Sequence, residues 1–278
     1  MTYRDILVQV NEAPAARPRA VAAADLARRS GGMVTGVFLR SDFLHDMMAT
    51  EALAYMSPPD IEALLKSHAK AVETAAEAAR ELFESAAAEA GVASSWLTVD
   101  GDSDTALVAC ARRVDLVVLP PRVTVTMARW RYGAGDLAMA TGGPVLVVGD
   151  EGCAPDFGRR VLVAWNGSRE SARALRDAWP LLIAAEKVDV VIVSPKGDGG
   201  PDGLLQRHLE RHGCKANIIL DRSQDDAASE VLRRQAAALN SDLLVMGLFG
   251  RPRLAELVLG GVSREMIETP PIPLLLSH

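Results

Sequence analysis

Short aliphatic blocks recur along the chain, separated by stretches in which apolar positions return at helical spacing. In the second half the blocks fall near Val161–Ala164, Val188–Val193, Ala216–Leu220, Leu243–Met246 and Pro273–Leu276. In the first half they fall near Ile6–Val10, Met33–Leu39, Ala93–Thr98, Leu116–Leu119 and Val145–Val148. Helices are expected between them. In the second half they start near Ser168, Gly203, Ser223 and Pro252, the first reaching Ala185. Ser223 with Asp226 three residues on reads as an N-cap with an acidic first turn. Val/Ile/Leu-rich strands alternating with helices predict an α/β protein whose parallel sheets are covered on both faces.

The pattern is doubled. Ile6–Asn11 parallels Val161–Asn166, and Asp115–Pro120 parallels Asp242–Gly247. The two strands stand further apart in the first half, so that half carries an insertion, at about 41–60, followed by a long helix from about Ile61 to Ala90. A short polar border at Gly149–Asp156 divides the chain. The expected units are residues 1–150 and 157–278.

Candidate chemistry concentrates after the strand at Leu243–Met246. Gly247 and Gly250 sit where the chain leaves the sheet, and Gly260-Gly261-Val262-Ser263 opens a helix running to Glu268. Glycine tolerates positive φ and lets a ligand approach the backbone, while a helix N-terminus presents free N–H donors and a positive dipole end. Together they suggest a backbone cradle for a polyphosphate. Neither a Walker loop nor a dinucleotide fingerprint is present, because no Gly-Lys-Ser/Thr follows and the glycines are not in the first strand's turn. Ordinary punctuation around a helix would use the same glycines.

Gly247-x2-Gly250-x9-Gly260, with Asn166-Gly167-Ser168 closing the first strand of the second half, resembles the universal stress protein family, in its tandem form. The resemblance implies two Rossmann-like domains, each a five-stranded parallel sheet in the order 3-2-1-4-5. The switch point then lies between the first and fourth strands, and Asn166 and Gly247 face one another across a crevice. It also implies adenine-nucleotide (ATP) binding in the second half, with the base near Asn166 and Val193, and with Gly167 and Met246 also in the site. The phosphates would lie over Gly247, Gly250, Gly260, Gly261, Val262 and Ser263. Two positions depart from the family pattern: Gly261 replaces Ser or Thr, and Asn166 replaces Asp, keeping hydrogen bonding but losing charge. The alternative is a stress-associated interaction or assembly protein without nucleotide. In the first half Pro120 and Val123 replace the first two glycines, only Gly133 matches, and Asp136 opposes the position of Ser263. That loop is expected to be structural.

Other features narrow the classes. The net charge of −6 argues against a nucleic-acid surface. No apolar run reaches the ~20 residues of a membrane helix, and Met1–Asp5 leads into a strand rather than a signal peptide, so a cytoplasmic protein is expected. Cys110, Cys153 and Cys214 define neither a disulfide framework nor a thiol-rich metal site. His208 and His212 share a helix face near Cys214, a spacing that can hold zinc but reads more simply as a solvated helix end. Arg251, Arg253 and Arg264 lie within the glycine motif and could contact phosphate. Met47, Met48 and Met56, with Phe43 and Tyr55, could line a lid in the insertion. The connection Ser194–Gly203 could close over the second crevice. The motif contains only Glu256 as a carboxylate, so no catalytic machinery is expected. The two apolar fifth strands are expected to pair as an internal pseudo-dimer, with room for a further homodimer.

Overall fold

The computed structural model describes residues 2–40, 56–100, 104–124, 131–154, 156–194, 203–223, 226–248 and 261–278. Its strands are β1 (Asp5–Gln9), β2 (Met33–Arg40), β3 (Ala93–Asp100), β4 (Leu116–Leu119), β5 (Arg122–Thr124), β6 (Arg131–Gly133), β7 (Val145–Val147), β8 (Arg160–Ala164), β9 (Lys187–Val193), β10 (Ala216–Asp221), β11 (Leu243–Gly247) and β12 (Leu274–Ser277). The described helices are α1 (Ala16–Ser30), α2 (Pro58–Ala90), α3 (Asp104–Ala111), α4 (Ala134–Thr141), α5 (Arg169–Asp177), α6 (Trp179–Ala184), α7 (Leu204–Arg211), α8 (Ala228–Ala238) and α9 (Gly261–Glu268).

Ten strands form one sheet in the order β10-β9-β8-β11-β12-β7-β4-β1-β2-β3. Each half contributes five parallel strands in the order 3-2-1-4-5. The two sets meet where β12 pairs antiparallel with β7, Leu275 opposite Leu146. Both fifth strands are buried throughout, because each supplies the other's missing edge. The remaining strands, β5 and β6, form a small antiparallel pair that the periodicity did not foretell.

Alternation along the strands sends side chains to two apolar layers. Ile6 and Val8 join one cluster and Leu7 the other; Val161 and Val163 join the first, Leu162 the second. Helices α1, α2, α5 and α7 bury residues in the first layer, and α3, α4, α8 and α9 in the second. Both layers run through both halves, so the core is continuous across the β7–β12 seam.

The repeat reaches individual hydrogen bonds. Asp115, just before β4, accepts from the backbone N–H groups of Arg4 and Asp5 at 2.8 and 3.0 Å. Asp242, just before β11, does the same for Gly158, Arg159 and Arg160. In each half the aspartate ties the start of the first strand to the start of the fourth. Charge-assisted acceptance of this kind is stronger than a neutral bond.

Two local expectations fail. The helix expected from Glu170 to Ala185 is split into α5 and α6 at Ala178, because Pro180 cannot donate its backbone N–H and suits a helix start instead. The Ser223 cap does not form. Its hydroxyl donates to Asp221 Oδ1 at 2.6 Å, and α8 begins only after Ala227. The carboxylate that ends β10 competes successfully for the serine.

Candidate functional site in the second half

β8 and β11 are hydrogen-bonded neighbours, with Ala164 opposite Met246. Beyond their carboxyl ends the chain departs in opposite senses, β8 into α5 on one layer and β11 toward α9 on the other. This divergence creates the switch-point crevice where ligands of open α/β sheets gather.

The first wall is a turn. Trp165 N–H donates to the Val191 carbonyl at 2.9 Å, holding the end of β8 beside β9. Asn166 Oδ1 accepts from Ser168 N–H at 3.0 Å, an Asx turn. Gly167 supplies the positive φ of 72° the turn needs. Ser168 then caps α5, its hydroxyl accepting from Ser171 N–H at 3.2 Å. The amide nitrogen of Asn166 is left for solvent or a ligand, because the residue is exposed and the oxygen is already used.

The second wall holds a correction. Gly247 ends β11 without positive φ. A Cβ there would stand 2.5 Å from Ser171 N and as close to the Glu170 peptide. Gly247 is therefore required by the packing of α5 on the strand, not by a left-handed turn. Met246 is buried and Val193 is half-buried. Neither offers a polar atom, so their contribution to a ligand would be apolar contact.

Gly261 opens α9, and among the described residues nothing lies within 4 Å of the position a Cβ would take. Val262 is half-buried. Ser263 is buried at 5% exposure. Gly250 and Gly260 lie outside the described residues, as do Arg251, Arg253 and Glu256. Of the three motif arginines Arg264 is described: it is paired with Glu268 at 3.0 Å, one turn along α9. The structure thus brings Asn166, Gly167, Met246 and Gly247 to the carboxyl ends of two neighbouring strands, with Val193 on β9 beside them, and puts Gly261–Ser263 at the head of a helix on the second layer.

Asp221, at the end of β10, is a polar centre that the sequence reading did not single out. Hydrogen bonds from Ser223, Gln235 and Arg234 hold its carboxyl down at about 2. Every one of these partners is structural, so Asp221 anchors the β10–α8 connection.

The histidine pair is also resolved. His212 stacks on Trp179 with ring centroids 4.6 Å apart, and His208 meets His212 edge-on at 4.7 Å. Partial burial and the neighbouring positive charges of His212, Arg176 and Arg211 lower the His208 pKa. Among the described residues no cluster of three or more His, Cys, Asp or Glu side chains is placed to hold a metal ion. Met56 is half-buried; Met47, Met48, Phe43 and Tyr55 lie outside the described residues, as does most of the Ser194–Gly203 connection.

A doubled 3-2-1-4-5 sheet, with an Asn-Gly-Ser turn after β8 and a glycine ending the neighbouring β11, defines a doubly wound α/β fold. Residues 158–278 match the model of the universal stress protein family, and the first half repeats the strand order of that matched half. A universal stress protein from Archaeoglobus fulgidus DSM 4304 superposes with a TM-score of 0.71 at 14% identity, covering 100% of this chain and 99% of its own. A protein from Pseudomonas aeruginosa UCBPP-PA14, assigned to the same class, gives a TM-score of 0.54 at 17% identity, covering 99% and 93%. At such identities the likeness is one of fold. No curated protein matches the chain in sequence. Among the described residues no helix is long and apolar enough to cross a membrane.

Proposed function

We propose that the chain is a regulatory protein of two units, residues 1–150 and 157–278, that binds adenine nucleotide, ATP in the first instance, in the crevice of its second unit. The match of residues 158–278 to the universal stress protein family supports this reading. The observation that carries it is the exposed Asn166–Gly167 turn at the end of β8, beside the glycine that ends the neighbouring β11. Base and ribose would lie against Asn166 and Val193, and the phosphates over the glycine segment, where backbone N–H groups and the dipole of α9 favour negative charge. No residue is assigned a catalytic role, and the bound state would act by altering partner contacts in a cytoplasmic stress response.

A second reading, an interaction protein without nucleotide, is favoured by Gly247, whose glycine identity is explained by packing alone. The test is direct. Purified protein is denatured and its supernatant chromatographed with detection at 260 nm, and apo protein is titrated with ATP in a calorimeter. Stoichiometric adenine nucleotide or saturable ATP heat supports the first reading. Neither signal would leave the second.

A further inference from the structure

The first half has its own crevice, at the corresponding switch point between β1 and β4, and it is a cavity of about 380 Å³. Asn11 and Pro120 lie at its strand ends, and small alanine and proline side chains form much of its wall. It lacks the glycines a polyphosphate would need, yet it is far from featureless. Arg19, on the first turns of α1, lines the cavity while remaining only 1% exposed. Its Nε donates to the Gln9 carbonyl at 2.9 Å and its Nη2 to Gln9 Oε1 at 3.2 Å. The remaining nitrogen, Nη1, is buried with no hydrogen-bond partner among the described residues.

A buried guanidinium donor without an acceptor is costly, and such a group calls for an explanation. Burial pulls the Arg19 pKa down to about 10, and Asp150 opposes this, so the two charges sense one another. Asp150 also lines the cavity and is exposed at its mouth. Also at the rim, Arg122 of the first half stands 4.0 Å from Glu268 of the second, which pairs more closely with Arg264 at 3.0 Å. The cavity therefore offers one deep cation, one outer carboxylate and an apolar wall.

We propose that this crevice is a binding site for a small zwitterion of the α-amino-acid class with an apolar side chain. Its carboxylate would accept from Arg19 Nη1, its ammonium group would face Asp150, and its side chain would lie on the alanine–proline wall. A polyphosphate is disfavoured there by the Asp150 carboxylate and by the missing glycines. A simple monocarboxylate would leave Asp150 unmatched. The site is independent of nucleotide binding in the second half.

The test is calorimetric titration of the full-length protein with L-leucine, acetate, inorganic phosphate and ATP. L-Leucine should bind saturably below about 10 mM, with acetate and phosphate at least about tenfold weaker. Asp150→Asn, at an exposed turn, should weaken L-leucine about tenfold with the fold intact. Arg19→Met should abolish it, with circular dichroism checking that the chain still folds. Gly250→Asp should leave it unchanged. Absence of L-leucine heat, equal binding of acetate, an unaffected Asp150→Asn variant, or displacement of L-leucine by ATP would each overturn the proposal.

Discussion

Gly247 and Ser171 are in contact through their backbones: the Cβ that Gly247 lacks would stand 2.5 Å from the Ser171 nitrogen. The end of β11 and the first turn of α5 thus share a space that admits no side chain. The crevice wall and the core are built on the same approach. Gly247→Ala should force α5 away from the sheet and cost about 1–3 kcal/mol, the range of an overpacked site. Urea denaturation checks this, and a variant as stable as the parent would show that α5 yields freely.

Gly261 behaves oppositely. Among the described residues a side chain there meets open space, so Gly261→Ser should leave stability unchanged within about 0.5 kcal/mol. By adding a hydroxyl at the head of α9 it should tighten ATP several-fold, consistent with about 1 kcal/mol for one hydrogen bond. Calorimetry on the two proteins measures the ratio.

The seam between halves depends on Leu146 and Leu275, opposite one another in β7 and β12 and both fully buried. Leu275→Ala should cost about 2–5 kcal/mol through lost burial and a residual cavity. Each half expressed alone exposes an apolar fifth strand and should self-associate. Sedimentation of the separate halves as stable monomers would contradict the seam's role.

Asp221 gives a pH signature. Its carboxyl is held at about 2 in the folded chain, whereas an unfolded aspartate titrates near ~3.9. A depressed carboxylate contributes stability that is complete above the unfolded value and is lost as pH falls through the folded one. The stability gap between the parent and Asp221→Asn should therefore be full at neutral pH and shrink between about pH 4 and pH 2. Denaturant midpoints across that window, plotted for both proteins, decide the matter; a gap constant with pH would mean the contribution is not ionic.

The strands were legible in the sequence because burial on both faces leaves a near-continuous aliphatic run, as at Leu243-Leu244-Val245. The topology was legible only through Asn166-Gly167-Ser168 and the glycine spacing, since periodicity carries no strand order. Gly247 was found for an incomplete reason: a sequence shows that a side chain is missing but not which backbone occupies its place. The Ser223 cap was misjudged because a strand-ending Asp221 captured the hydroxyl. The split at Ala178 had a visible cause in Pro180. Val123, the first-half counterpart of Gly250, is fully buried in β5, so an aspartate there would break the fold and cannot serve as a silent control for ligand binding. Arg19 was overlooked although a signal existed: it shares the buried stripe of α1 with Ala16, Ala20 and Ala23, an arginine where the pattern asks for alanine.

The most direct test of the account is an ATP titration of the full-length protein beside Gly250→Asp, followed by calorimetry up to about 5 mM nucleotide. A carboxylate at Gly250 would bring negative charge and volume to the glycine segment proposed to receive the phosphates. The parent should bind ATP saturably and one-to-one and Gly250→Asp should not bind it, with the two proteins unfolding at closely similar denaturant concentrations. Equal ATP binding by both proteins would contradict it.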